Sequence, residues 1–233
     1  MPVFQLSDEI IFPPVELADA DGLIAVGGDL SVERLVTAYT EGIFPWYSEG
    51  SPILWWSPDP RLILLPEELK VSRSLRQVIK KGGFTVTLDA AFDEVITSCS
   101  GVHKDRDGGT WITDEMVDAY RALHYAGVAH SVESWYDDKL VGGLYGISLG
   151  GVFFGESMFN VRSDASKVVF VTLVKQLIKW GYSLIDCQVT TRHLMTFGAR
   201  EIPRSEFMAI LSNAIKHPMP SRAWSDMKGR KIS

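Results

Sequence analysis

The side chains able to do chemistry in this 233-residue chain gather in a few short stretches. In Leu184-Ile185-Asp186-Cys187-Gln188-Val189 the two-residue period of a strand puts Asp186 and Gln188 on one face, away from Ile185, Cys187 and Val189. Two polar side chains in an apolar strand need partners. Either they satisfy neighbouring backbone and strand groups, or Gln188 holds a reacting amine while Asp186 orients Gln188. In Val152-Phe153-Phe154-Gly155-Glu156-Ser157-Met158-Phe159, Glu156 falls in line with Phe154 and Met158. A buried carboxylate is costly unless paired, so Glu156 either closes an internal ion pair or draws a cationic group into a pocket.

Two tryptophans sit at helix ends. Trp46 lies in Ile43-Phe44-Pro45-Trp46-Tyr47 and Trp111 in Gly109-Thr110-Trp111-Ile112-Thr113. Such indoles either plug a seam between two parts of the chain or sandwich a nucleobase, a contact worth roughly 1 to 3 kcal/mol. From Val71 to Lys81 a helical wheel gathers Val71, Leu75, Val78 and Ile79 on one side and Arg73, Arg76, Lys80 and Lys81 on the other. That basic face is either solvated or grips a few phosphates, which would make binding salt dependent.

Other chemistries find less support. His103, His124, His130, His193 and His217 show no metal-binding spacing, and neither a Gly-x-Ser-x-Gly nucleophile elbow nor a GxxxxGK(S/T) Walker loop is expected. Cys99 and Cys187 are far apart in unlike contexts and read as reduced thiols. No metal and no cofactor are expected. The formal charge of -6 with 46% apolar residues argues against a surface coated in positive charge, so any polyanion site must be local. The first dozen residues lack the build of a secretory signal, and no apolar run reaches the roughly 20 residues of a membrane span. Cytoplasmic location and a monomer are expected.

The elements that must position these groups follow from local signals. Eight of the eleven prolines precede residue 67, so a small N-terminal domain is expected over 1–60 and a larger one over 61–233. In the first, Gly27-Gly28-Asp29-Leu30-Ser31 supplies a turn and cap for a helix over Val32 to Glu41. The second should carry a helix capped near Ser72, a strand over Phe84 to Leu88, a short helix from about Ala90 to Ser98, and a helix capped by Thr113 whose apolar stripe is Met116, Val117, Tyr120 and Leu123. Three strands then form a meander over His130 to Tyr136, Leu140 to Ile147 and Val152 to Met158. A helix from Ser166 to Trp180, a strand over Ser183 to Val189, a short helix over Thr191 to Phe197 and a last helix over Arg204 to Lys216 complete the order. This α+β pattern with a mixed sheet is similar to the acyltransferase fold of the acetyl-CoA N-acetyltransferases, and it makes acyl transfer the first reaction to test.

Taken together and in order, Gly27-Gly28-Asp29-Leu30-Ser31, Gly42-Ile43-Phe44-Pro45-Trp46, Leu54-Trp55-Trp56-Ser57-Pro58-Asp59-Pro60-Arg61, Gly109-Thr110-Trp111-Ile112-Thr113, Gly155-Glu156-Ser157-Met158-Phe159 and Ile185-Asp186-Cys187-Gln188 resemble the bacterial leucyl/phenylalanyl-tRNA-protein transferases. The resemblance implies a small N-terminal domain on an acetyltransferase-like C-terminal domain. It also implies transfer of Leu or Phe, less readily Met, from aminoacyl-tRNA to proteins beginning with Arg or Lys, which marks them for degradation. Trp46 and Trp111 would then bracket the terminal adenosine, and Glu156 would lie at the substrate site. Leu144, Phe153, Met158, Phe170, Leu173 and Ile185 would shape the pocket for the aminoacyl side chain. Asp186 and Gln188 would assist the attacking amine, and the basic helix would meet the acceptor stem.

Aminolysis of the activated ester needs reactants positioned and developing charge stabilised. A neutral amide is a poor general base, so Gln188 is assigned positioning. Two rivals remain. An acetyl-CoA-dependent acetyltransferase would use a [QR]-x-x-G-x-[GA] phosphate loop, which no stretch fits. A non-catalytic RNA-binding module would use the basic helix and loop indoles but would leave Asp186, Gln188 and Glu156 without a role.

Overall fold

The computed structural model describes residues 3–107, 112–217 and 223–232. Among these, β1 (Phe4–Leu6), β2 (Leu23–Gly27), β3 (Phe44–Pro45) and β4 (Leu54–Trp56) form a four-stranded sheet in the order β1-β2-β4-β3, with α1 (Val32–Thr40) between β2 and β3. The rest of the chain supplies β5 (Arg61–Leu64), α2 (Arg73–Lys81), β6 (Thr85–Leu88), α3 (Phe92–Asp107), α4 (Asp114–Tyr125), β7 (Ala129–Tyr136), β8 (Lys139–Leu149), β9 (Val152–Asn160), α5 (Ala165–Trp180), β10 (Leu184–Gln188), α6 (Arg192–Met195), β11 (Arg200–Ile202), α7 (Arg204–Ala214) and β12 (Lys231–Ile232). Its eight strands run β11-β5-β10-β9-β8-β7-β6-β12, and β9–β10 is the parallel pair among antiparallel neighbours. The fold is α+β with a mixed sheet.

Local chemistry explains where the helices begin and end. Ser31, Ser72, Thr113 and Thr191 each accept a hydrogen bond from a backbone N–H in the first turn, at Arg34, Leu75, Met116 and Leu194. Three strands escape the sequence signals because β5, β11 and β12 are short and show no alternation. The third helix also runs past Ser98 to Asp107. Its polar Ser-Cys-Ser stretch reads as a stop, yet Cys99 is buried and Ser100 Oγ donates to the Ile112 carbonyl at 2.9 Å, so tertiary packing extends it.

Strand alternation sends side chains to two apolar clusters, one on each face of the large sheet. Leu35, Tyr39, Trp55, Ile96, Tyr120 and Phe154 share one cluster, so the N-terminal elements, α3 and α4 cover the same face. Leu62, Val132, Phe153, Leu173, Leu177 and Ile185 fill the other, beneath α5.

Two bulges interrupt the ladder where the site lies. Between β8 and β9 the register passes from Tyr145↔Ser157 to Gly146↔Gly155, leaving Glu156 as the extra residue. Gly146 permits this approach, because a Cβ there would lie 2.2 Å from the Phe154 carbonyl oxygen. The bulge reverses the strand's parity. Phe154 and Phe159 join the first cluster while Phe153 and Met158 face the second, so Glu156 shares a side with Phe154 and not, as simple alternation predicts, with Met158. Between β10 and β5 the register passes from Asp186↔Ile63 to Gln188↔Leu62, and Gln188 adopts φ 62°. Parallel pairing of β9 with β10 ends at Asp186↔Phe154, so the two strands part beyond it.

Contrary to expectation, Gly146-Ile147-Ser148-Leu149-Gly150 does carry the Gly-x-Ser-x-Gly spacing. It lies in β8 and the hairpin turn that follows, not at a strand-to-helix turn, and Ser148 Oγ shares a 2.5 Å hydrogen bond with Tyr182 Oη. Nothing there builds a nucleophile elbow.

Candidate active site

Where β9 and β10 part, a cavity of about 320 Å³ opens. Leu144, Phe153, Met158, Phe170, Leu173 and Ile185 all line it, together with Trp46, Glu156 and Gln188. These side chains come from β8, β9, α5 and β10 of the large sheet and its covering helix, with Phe44, Pro45 and Trp46 reaching in from the N-terminal sheet. The walls are apolar and the polar groups are few, the arrangement expected of a site that sorts ligands by side-chain shape. Trp46 is 41% exposed at the margin, its ring 6.0 Å from that of Trp56, whose Nε1 donates to the Trp46 carbonyl at 2.7 Å. Trp56 therefore holds the Trp46 backbone and packs near its indole, which is partly exposed at the cavity. Trp111 lies outside the described residues.

Behind the cavity wall, Asp186 is fully buried. Arg61 binds it in a two-pronged ion pair, Nε to Oδ1 at 2.9 Å and Nη2 to Oδ2 at 2.6 Å. The guanidinium carbon sits 4.8 Å from the Phe44 ring centre and 4.6 Å from that of Phe207. Asp186 Oδ1 also accepts the Gln188 backbone N–H at 2.9 Å. That bond stabilises the left-handed backbone at Gln188, a conformation that costs a non-glycine residue on the order of 1–3 kcal/mol. Asp186 thus acts on Gln188 through the main chain, and it does not line the cavity.

The Gln188 side chain spans the gap between the parted strands. Its Nε2 donates to Glu156 Oε1 at 2.9 Å, which leaves its carbonyl oxygen as an acceptor at the cavity. Glu156 also receives Tyr39 Oη on Oε1 and Tyr120 Oη on Oε2, both at 2.8 Å. Burial pushes the Glu156 carboxyl up to about 7. The hydrogen bonds from Tyr39, Tyr120 and Gln188 pull it down, and the neighbouring Asp186 adds an upward push. Burial, with the nearby Glu156, holds the Tyr39 and Tyr120 hydroxyls well above their ordinary range.

Sequence reasoning missed Arg61, Tyr39, Tyr120 and His193 as members of this neighbourhood. Arg61 stands in the Trp55–Arg61 string, but its partner is 125 positions away. Tyr120 reads as part of an apolar stripe, although a buried tyrosine hydroxyl calls for a partner. His193 lines the cavity mouth, and burial, with Lys167 nearby, lowers its pKa.

The four basic residues are not at the cavity. Arg73, Arg76, Lys80 and Lys81 all lie exposed on α2, whose inner residue Leu75 belongs to the cluster containing Phe170 and Ile185. On the other side, away from the cavity, Asp89, His124 and His130 converge. Each already has protein partners: His130 Nδ1 with Asp89 Oδ2 at 2.7 Å, His124 Nδ1 with the Ala129 carbonyl at 2.8 Å, and the Ser131 N–H on Asp89 Oδ1 at 2.8 Å.

Comparison with known proteins gives a consistent answer. The family model described as leucyl/phenylalanyl-tRNA protein transferase matches residues 63–212, and that for the N-terminal domain of the same transferase matches residues 28–59. A leucyl/phenylalanyl-tRNA--protein transferase of Syntrophobacter fumaroxidans is 58% identical over 224 residues, covering 96% of each chain. One from Myxococcus xanthus is 55% identical over 228 residues, covering 97% of each. Among solved structures FemX is similar in fold, with a TM-score of 0.51, 11% identity, and coverage of 78% of this chain and 71% of that one.

Proposed function

Since the chain belongs to the leucyl/phenylalanyl-tRNA protein transferase family, we propose that it moves leucine or phenylalanine, less readily methionine, from transfer RNA to the terminal amine of proteins beginning with Arg or Lys. The proposal includes a cytoplasmic, monomeric enzyme. Among the described residues no helix is long and apolar enough to cross a membrane. A boundary near Pro60 belongs to the same reading, since the strands of one sheet end at Trp56 and those of the other begin at Arg61.

The observation that carries this reading is the meeting of an apolar cavity with one amide and one carboxyl at the fork of β9 and β10. A leucyl or phenylalanyl side chain entering between Leu144, Met158 and Ile185 would bring its ester carbonyl toward Gln188 and Glu156. Trp46 would stack on the terminal base. The exposed cations of α2 would meet the phosphates of the acceptor stem. The acceptor's amine would be held by the Gln188 carbonyl, which the Asp186–Arg61 pair keeps in place, and it would attack the ester carbon while the ribose oxygen leaves. The ester supplies the driving force, so positioning at high effective concentration provides most of the acceleration required of the protein.

The test is transfer of labelled leucine from leucyl-tRNA to a peptide beginning with Arg, beside the same peptide beginning with Ala. Labelled product with the Arg peptide alone supports the proposal. Equal labelling of both refutes the acceptor specificity, and no labelling of either refutes the transfer.

A further inference from the structure

We propose that Glu156, Tyr39 and Tyr120 form a closed proton-sharing ring, and that this ring takes the proton released when the acceptor's ammonium becomes a nucleophile. The inference deepens the transfer reaction proposed above and rests on it.

Tyr39 Oη lies 2.8 Å from Glu156 Oε1, Tyr120 Oη lies 2.8 Å from Glu156 Oε2, and the two hydroxyls lie 2.5 Å from each other. Three oxygen–oxygen contacts close a cycle through the carboxyl. If the carboxyl is ionised, two phenolic protons serve three contacts, and one pair of oxygens meets without a hydrogen between them. If it is protonated, each contact has one hydrogen: the carboxyl donates to one phenol, that phenol to the other, and the second phenol back to the carboxyl. Both phenols are fully buried, so water cannot make good the deficit.

The ring is also placed to receive a proton. Three separate elements, α1, α4 and the bulge of β9, hold its members, and the cavity is lined by Glu156 itself. The side chain of Gln188 touches Glu156 with its nitrogen, so an amine bound by its carbonyl stands beside the carboxyl.

Of the ring and the side chains packed against it, Glu156 is the group that changes state near neutrality, while His193 at the cavity mouth ionises below its ordinary value through burial and the nearby Lys167. From β8, Tyr145 packs edge-on against Tyr120 at 5.5 Å, and burial holds its hydroxyl far above that range. From α3, burial pushes the Cys99 thiol up to about 12. From β10 and β5 come Asp186 and Arg61, which are bound to each other. Among the described residues no cation pairs with Glu156. Its own carboxyl, pushed up to about 7 by burial, populates both forms at physiological pH.

The step balances. Glu156 carboxylate takes one proton from the ammonium: an N–H bond breaks and an O–H bond forms, completing the ring. The freed nitrogen lone pair forms the C–N bond at the ester carbon. The bond from that carbon to the ribose oxygen breaks, its electron pair goes to the oxygen, and a second proton from nitrogen neutralises it. The carboxyl then releases its proton to solvent. Tyr39 and Tyr120 are positioning residues in this scheme, since they act through Glu156.

The test is an infrared titration of the full-length free enzyme from about pH 5 to about pH 9, with Glu156→Gln as the reference that identifies the carboxyl band. The expected result is a protonated carboxyl C=O band absent from Glu156→Gln that vanishes with a midpoint near 7. In Tyr39→Phe or Tyr120→Phe the midpoint should fall by about one unit, because opening the cycle takes two hydrogen-bonded contacts from the protonated carboxyl and one from the carboxylate, whereas two donors acting singly would make it rise. The rising limb of single-turnover transfer should follow the same midpoint. No band assignable to Glu156, or a midpoint unmoved or raised in a tyrosine variant that keeps its wild-type melting transition, overturns the ring. Should both variants unfold, the wild-type band and its agreement with the kinetic limb decide. If the titration behaves as expected but no transfer occurs, the proposed function fails and the ring survives.

Discussion

Asp186 and Glu156 stand on the two strands that part at the cavity, and they keep opposite company. Asp186 is locked by the two prongs of Arg61 and by a backbone N–H, behind the cavity wall. Glu156 faces the cavity and meets two hydroxyls and an amide, none of which brings a full charge. Partner chemistry thus divides the labour between two carboxyl groups one strand apart. An ion pair with a guanidinium fixes geometry, whereas a buried carboxyl among neutral donors titrates where it can work.

The largest effect should come from breaking the fixed partner. Arg61→Ala strands Asp186 in a dry interior and should lower stability by about 3–5 kcal/mol in urea denaturation. Glu156→Gln should cost far less by the same assay, and a similar cost for both variants would collapse the distinction.

Gln188→Ala removes the amide proposed to hold the amine and leaves both carboxyl groups in place. Single-turnover transfer should slow by roughly 10²-fold while binding of leucyl-tRNA holds, as expected for lost positioning.

The stability profile sharpens the contrast next. The folded Glu156 carboxyl sits near 7 against an ordinary value of 4.5, so the folded state holds a proton that the unfolded state has lost. Its ionisation therefore lowers stability as pH rises from about 4.5 to about 7, and the profile levels off above that. Glu133, also raised by burial, slopes the same way. Subtracting the Glu156→Gln profile isolates a difference on the order of 3 kcal/mol across that window.

The smallest effect concerns selectivity. Leu144→Ala widens the cavity and should move the phenylalanine-to-leucine ratio about tenfold toward phenylalanine, in the range a few methylenes can supply. Competition between the two charged tRNAs measures it.

Much of this architecture could be read from local chemistry. Ser72 and Thr113 announced their helices, and the three strands from Ala129 to Asn160 pair as the antiparallel meander expected of three consecutive strands. The six apolar residues expected around an aminoacyl side chain do line one cavity. What escaped was long-range or depended on register. Nothing near Arg61 points to Asp186, because their bond joins strands that are neighbours only after folding. Tyr39 and Tyr120 look like ordinary apolar-face residues on two separate helices, and only packing α1 against α4 brings their hydroxyls together. The bulge at Glu156 was invisible because period-two reasoning carries parity unbroken through Gly155.

The fork of β9 and β10 is where the aminoacyl ester is proposed to bind. A crystal structure with a leucyl-adenosine amide, in which nitrogen replaces the labile ester oxygen, tests it most directly. The leucyl side chain should lie among Leu144, Phe153, Met158 and Ile185, the adenine on Trp46, and the amide carbonyl within reach of Gln188 and Glu156. A leucyl group bound elsewhere with the cavity empty would contradict it.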